Sequence, residues 1–415
     1  MPTRRVFLRQ SALAMVGSGA APLWLRRVLC AADAPSPRKK ILVAVFLRGA
    51  ADGLNMVVPH AEKSYYEMRP TIAVPRPARG SQDAAIELDG FFGLHPALAP
   101  LVPLYQTGHL AILHAAGSPD PTRSHFDAQD YMESGTPGYK AVQSGWLNRA
   151  LPWERAPLSP VRAVAMGPVL PRSLRGPNAS IAVQRLDAFQ IRDPEAALQL
   201  EAMYRDASDP AMRATGRETF EAMRLLEAVS RQPYQPAGGA EYPRGRFGDS
   251  LRQIAQLIRA DVGVELAFAD VGGWDHHVNE VGRSTSEGLL TLRLRELGQA
   301  LAALWQDLGD RMRDVAVVTM SEFGRTAREN GGRGTDHGHA NCMFVLGGRV
   351  RGGKVYGKWP GLAPEQLYEG RDLALTTDFR DLLGELVCRH LGNRDLAPVF
   401  PGYQPKFPGL LQVPA

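Results

Sequence analysis

The stretch Ile41-Leu-Val-Ala-Val-Phe-Leu47, followed at once by Arg48-Gly-Ala-Ala-Asp52-Gly-Leu-Asn55, decides the fold class. Seven consecutive apolar residues without a polar alternate read as a strand buried on both faces, as in a parallel sheet flanked by helices. Similar runs recur at Leu110–His114, Ile181–Val183, Val262–Ala269, Val315–Met320 and Met343–Leu346. Helical patterns lie between them. Ala97–Tyr105 follows a proline, and Ser124–Met132 opens with Ser-x-x-Asp, a capping-box-like start. Glu195–Ser230 reads as two or three helices broken at Pro210 and Gly216. Leu251–Arg259, Ser286–Leu308 and Asp378–Leu391 show spacings of three and four, and Gln232–Gly245 reads as a loop. Strands alternating with helices predict a layered α/β/α fold with a mostly parallel central sheet.

Each strand gives way to a polar segment of a particular kind. Asp52 comes after the first strand, Arg123-Ser124-His125-Phe126-Asp127 closes the loop after the second, and Asp275-His276-His277 lies beyond Val262–Ala269. Ser321-Glu322-Phe323-Gly324-Arg325 lies directly behind Val315–Met320, and Gly334-Thr-Asp336-His337-Gly-His339 precedes the next strand. In a parallel sheet the carboxyl ends of the strands share one edge, where ligands bind. These acids and imidazoles are therefore expected to converge there. A mixed His/carboxylate set suits Zn, Mn or Fe, whereas Mg or Ca favours oxygen alone. Four of the ten His fall in two short segments, a concentration that solvated faces do not explain. Each element also has an ordinary reading: Asp52-Gly53 as a turn, Ser124 as a helix N-cap, Glu322 as a partner of Arg325. His95 and His114 are read as structural, and Cys342 and Cys388 as buried free thiols.

The chain has 415 residues and a formal charge of +5, with five Arg and a single acid, Asp33, inside residues 1–34. The rest is near neutral, so there is no global electrostatic case for nucleic-acid binding. Hydrophobic residues at 44% and charged residues at 22% exclude disorder and place the chain among ordinary globular proteins. Residues 1–34 resemble a twin-arginine (Tat) export signal: Arg4-Arg5-Val-Phe7-Leu8, a weakly apolar run from Ser11 to Leu25, Arg26-Arg27, and small residues at Ala32-Asp-Ala34. The expected organisation is a Tat signal at 1–34, a linker at 35–40, and one domain over 41–412 with a helical insert at about 195–245. The expected location is the periplasm or beyond, with no stable membrane span after cleavage and the Tat translocase as a partner during export.

The blocks Phe46–Asn55, Gly93-Leu-His-Pro-Ala97, Gly117–Tyr131, Gly272-Gly-Trp-Asp275, Ser321–Thr326 and Gly334–Gly338 resemble the domain-of-unknown-function family 1501, over about Ile41 to Tyr403. That family is grouped with the alkaline phosphatase and sulfatase superfamily, whose layered α/β fold carries a two-metal site at its strand ends. The resemblance implies an exported metal-dependent hydrolase of phosphate or sulfate esters, acting on an anionic small-molecule or polymer ester. It implies two divalent ions, Zn or Mn, held by Asp52, Asp275, His277, Glu322, Asp336, His337 and His339. Ser124 at a helix N-terminus takes the nucleophile's place, and Arg123 or Arg48 would clamp the nonbridging oxygens. The sequence departs from the superfamily where Glu322 replaces Asp and Phe323 replaces a ligand His; Asp336 would supply what Phe323 lacks. No Cys-x-Pro-x-Arg occurs, so a formylglycine nucleophile is not expected. Two other readings stand beside this one: a degenerate site that only binds an anionic or sugar ligand, and a cofactor-loaded oxidoreductase.

Overall fold

The computed structural model describes residues 39–151, 159–191 and 193–412; the Tat-like segment and Cys30 lie outside them. The strands are β1 (Ile41–Leu47), β2 (Val57–Val58), β3 (Ile86–Glu87), β4 (Gly93–Leu94), β5 (Leu110–Gly117), β6 (Ala163–Met166), β7 (Ile181–Val183), β8 (Leu266–Val271), β9 (Val315–Met320), β10 (Asn341–Gly347), β11 (Lys354–Tyr356) and β12 (Thr377–Asp378). The main sheet runs β11-β5-β10-β9-β1-β8-β6-β7, with β12 also on β5, while β2, β4 and β3 form a small separate sheet. Pairing is parallel between β1 and both β8 and β9, along β8-β6-β7, and between β5 and both β11 and β12. β10 is antiparallel to both its neighbours, β5 and β9. The fold is thus layered α/β with a mostly parallel sheet, as the apolar runs predict.

β1 shows why an unbroken apolar run works here. Ile41, Val43, Val45 and Leu47 enter one core, Leu42, Ala44 and Phe46 the other, and all seven are at most 2% exposed. The first core is closed by helices that include α4 and α5, the second by α6; the helices are α1 (His125–Ser134), α2 (Pro194–Arg205), α3 (Pro210–Ser230), α4 (Arg246–Ala260), α5 (Leu289–Leu308) and α6 (Phe379–Glu385).

Three expectations need correction. β6 has no counterpart in the sequence reading: its four residues, Ala-Val-Ala-Met, include one β-branched side chain and so carry little strand propensity. Gly216 does not break a helix, because it lies inside α3, where its bare Cα lets the Tyr204 side chain of α2 pack against the backbone; a Cβ there would sit 2.4 Å from that of Tyr204. Cys388 is only half-buried, although Cys342 is buried and both are free.

Asp193 and Asp209 start the α2–α3 pair, each accepting from a backbone N–H of the first turn, with proline in the first helical position. No described helix is long and apolar enough to cross a membrane.

Phe46 is fully buried at the centre of the sheet. Phe46→Ala should cost about 3–5 kcal/mol by the usual cavity penalty, read as a lowered denaturation midpoint with an unchanged m-value.

Candidate metal centre

β5 and β9 share one direction because both run antiparallel to β10. The carboxyl ends of β1, β5, β8 and β9 therefore lie on one edge, and the start of β10 lies on that edge too, Asn341 pairing with Ala116 near the end of β5. His125 arrives on α1 after β5, Asp275 and His277 on the loop after β8, Glu322 directly after β9, and His337 on the segment leading into β10.

Three imidazoles meet at this edge. His337 Nε2 lies 3.0 Å from His125 Nε2 and 3.0 Å from His277 Nε2. Asp275 Oδ1 is 3.0 Å from His277 Nε2 and 3.2 Å from His337 Nε2, and its Oδ2 is 3.4 Å from His125 Nε2. The ligand atoms of His125, Asp275 and His337 all lie within 4.8 Å of one another, and this is the one such group among the described residues.

The opposite nitrogen of each ring holds its orientation. His125 Nδ1 faces Glu322 Oε1 at 2.8 Å, His277 Nδ1 faces Asp336 Oδ1 at 3.0 Å, and His337 Nδ1 faces the Arg123 carbonyl at 2.8 Å. Carboxylates and carbonyls only accept, so these partners draw a proton to each Nδ1 and turn each Nε2 towards the others and Asp275. Nε2 atoms 3.0 Å apart need a shared proton or a cation between them, since two bare lone pairs would repel. A set of imidazole nitrogens and one carboxylate, with each imidazole held from behind by an acceptor, is the donor chemistry that Zn and similar ions take. The residues fit the ion that the sequence implies.

The charges agree. The Glu322 hydrogen bond raises His125 above its ordinary range, against burial. Burial, with the His125 charge beside it, lowers His337 in spite of its bond to the Arg123 carbonyl. Burial disfavours the Asp275 carboxylate, but its hydrogen bond from Arg325 and the neighbouring imidazoles hold it below the usual carboxylate range. Arg325 Nη1 donates to Asp275 Oδ1 at 2.8 Å, so Arg325 pairs with Asp275 and not with Glu322.

Glu322 is placed differently from its predicted role. It is fully buried and accepts from His125 Nδ1, Gln129 Nε2 and Gly49 N–H through Oε1, and from Ser321 through Oε2. Burial opposes its charge, but these donors outweigh it and keep the carboxyl below its ordinary range. It therefore orients a ligand instead of ligating. Asp336, which also accepts from Asn330, does the same for His277. Phe323 stands behind the rings, 5.0 Å from both His125 and His337.

Asp52 and His339 are not brought into the cluster. Asp52 is buried at the N-terminus of Gly53–Met56, paired through both oxygens with the fully buried Arg69. Burial opposes the charge, but Arg69 holds the Asp52 carboxyl below its ordinary range. Burial and the Asp52 charge push its neighbour Glu280 well up, in favour of the protonated form; Thr335 donates to Glu280 Oε2. His339 stacks on Tyr368, ring centroids 4.3 Å apart. His276 points inward, while its carbonyl accepts from Thr335 N–H and so ties the two His-bearing loops together. Ser124 precedes α1, and its hydroxyl makes no capping bond. Arg123 is held by Asp372 and Glu369 at 2.7 and 2.6 Å. Arg48 is held by Asp270 and Glu133 at 2.7 and 2.9 Å. His95 and His114 are structural: His95 Nδ1 caps a helical turn at Ala97, and His114 bonds the Val57 carbonyl.

Sequence reasoning missed His125 as a ligand, although it stands beside Ser124 in the polar run after β5. It gave no role to Arg69 or Gln129, and it paired Arg325 with Glu322 where the structure pairs it with Asp275. Gly49 shows how tightly the edge is built: its φ of +118° suits glycine, and a Cβ would lie 2.7 Å from Asp275 N.

Known proteins show two kinds of likeness to this chain. A family model described as "Protein of unknown function (DUF1501)" matches residues 95–395. No curated protein matches the chain. Two solved structures are similar. The C-terminal periplasmic domain of EcEptC from Escherichia coli, in complex with Zn, is 10% identical over 75% of this chain and 74% of that one, with a TM-score of 0.34. PsFucS1 sulfatase from Pseudoalteromonas sp. is 12% identical over 96% of this chain and 74% of that one, with a TM-score of 0.39.

Two measurements test the geometry. Glu322→Gln should weaken zinc binding about 10–100-fold, read by competition with a chromogenic chelator, because the amide no longer enforces the His125 tautomer. Glu280 bears on pH. A carboxyl raised on folding stabilises the fold below its unfolded pKa, and that contribution is lost as pH rises towards the folded value. Wild-type Tm should therefore fall, relative to Glu280→Gln, as pH climbs from about 5 to 8, above the ordinary carboxyl range.

Proposed function

The chain belongs to the DUF1501 family of proteins of unknown function, and we propose that it is an exported metal-dependent hydrolase of phosphate or sulfate esters. The observation that carries this reading is the convergence of His125, His277 and His337 Nε2 beside Asp275, each imidazole fixed from behind. His125, Asp275 and His337 would hold one ion, with His277 beside it; zinc or manganese suits the donors. When bound, such an ion supplies Lewis-acid stabilisation of charge on a phosphoryl or sulfuryl oxygen.

The chain's own residues supply the rest. Arg325 fixes Asp275, and Glu322 and Asp336 fix two of the imidazoles. Ser124 lies next to His125 at the start of α1, where free backbone N–H groups favour an anion. In this reading Ser124 Oγ attacks phosphorus or sulfur, the ester oxygen leaves as an alcohol, and water then displaces Ser124 to release the inorganic anion. The two-ion arrangement implied by the resemblance does not suit these residues, because Asp52 is spent on Arg69 and Phe323 backs the cluster without a ligand atom. That departure also favours a second reading, a site that holds a metal and binds anionic ligands without turnover. Export by the Tat translocase and a location in the periplasm or beyond rest on residues 1–34.

The test is metal content together with hydrolysis of 4-nitrophenyl phosphate, bis(4-nitrophenyl) phosphate and 4-nitrophenyl sulfate. We expect at least one equivalent of transition metal, activity abolished by chelation and restored by metal, and a loss of at least about a hundredfold in kcat for Ser124→Ala. Metal without turnover of any ester supports the binding reading. Less than one equivalent of metal, with Ser124→Ala unchanged, overturns the proposal.

A further inference from the structure

A cleft of about 420 Å³ opens at the same strand edge, walled by the segments after β1 and β6, by α1, and by Arg246 at the start of α4. Helix α1 serves both places: His125 enters the metal-ligand cluster, while Phe126 and Gln129 line the cleft. A continuous set of bonds joins them. Arg48 Nη1 donates to Gln129 Oε1 at 2.9 Å, Gln129 Nε2 donates to Glu322 Oε1 at 2.8 Å, and the same oxygen accepts from His125.

The cleft holds four arginines and three acids, and the acids are already engaged. Glu133 pairs with Arg48, Asp130 with Arg172, and Asp270 with both Arg48 and Arg246. Arg175 is left over. Its Nε donates to the Leu170 carbonyl at 3.1 Å, and its two terminal nitrogens have no protein partner among the described residues. At the mouth Phe126 is 91% exposed. The ring is thus free to gain by covering the face of a ligand, and here it stands one residue from a metal-ligand candidate.

We propose that this cleft is the subsite for the non-reacting part of the substrate, a ring bearing a second anionic group, with Arg175 taking the anion and Phe126 stacking on the ring. As a substrate subsite it rests on the hydrolase reading; as a binding site it stands on the cleft alone. Sugars and nucleotides both present an anionic ring, and the volume admits a unit of either size.

Calorimetry on the as-purified protein, with metal content measured for every sample, separates these. The probes are glucosamine 6-sulfate, AMP and uncharged methyl glucoside. We expect a charged ring to bind and the uncharged one not, with Arg175→Ala and Phe126→Ala each weakening binding about tenfold or more at unchanged metal content. The charged probe that binds more tightly identifies the ring. Two results overturn the proposal: no charged probe binds, or one binds equally well to wild type and both variants, which places it elsewhere. Because neither residue is itself a metal-ligand candidate and metal content is measured for every sample, loss of binding with metal retained speaks to the cleft, whereas absence of metal from the wild type speaks against the hydrolase reading.

Discussion

Three imidazole orientations, each held by an acceptor behind the ring, are the constraint on which the strand edge depends. Glu322, Asp336 and the Arg123 carbonyl each face one Nδ1, which turns every Nε2 towards the others and Asp275. Nitrogens gathered in this way need a proton or a cation between them. The arrangement persists because the elements that carry it are tied elsewhere: Glu322 by donors from two other segments, Arg325 by Asp275 and Thr335, and the His276 carbonyl by Thr335 N–H. A cation at this point would be met by side chains already held by the rest of the fold.

The sheet delivers these groups through one irregularity. Were β10 parallel to β9, the segment leading into it would approach from the opposite edge, and His337 would be a strand length away. Because β10 runs antiparallel between β5 and β9, the connection from Glu322 to Asn341 stays on one edge, and His337 reaches the cluster while β5 and β9 still point the same way. The close approaches around Gly49 and in the loop carrying His276 then seat Asp275 and His277.

Burial sorts the charged residues into two groups. Asp52, Arg69 and Glu280 are sealed below the edge, where Asp52 and Arg69 neutralise one another and burial beside Asp52 pushes the Glu280 carboxyl well up. Asp275, His277 and Asp336 remain open to solvent. Replacing only one member of the sealed pair would strand a buried charge, so that pair reads as support for the fold. The open group is free to meet a ligand.

Much of the fold was legible because its signal is local and compositional. Apolar runs of strand length marked β1, β7 and β9 to the residue, and Pro210 marked the break between α2 and α3. β6 escaped because two alanines and a methionine around one valine carry little strand propensity. For the site, the sequence identified Asp275, His277 and His337 by type and place after strands. It could not separate them from Asp52, Glu322 and His339, which share the same types and places. That separation depends on which atoms approach which. Arg69, distant from any motif, removes Asp52; Tyr368 covers His339; and Glu322 lies one layer too deep, behind His125, whose ring stands at the cluster instead. The sequence alone determined the layered α/β class and the edge at which acids and imidazoles collect, because burial periodicity and strand polarity are properties of the chain. Only the tertiary structure decided which of them point at one another, because hydrogen-bond partners hundreds of residues apart set each ring's orientation.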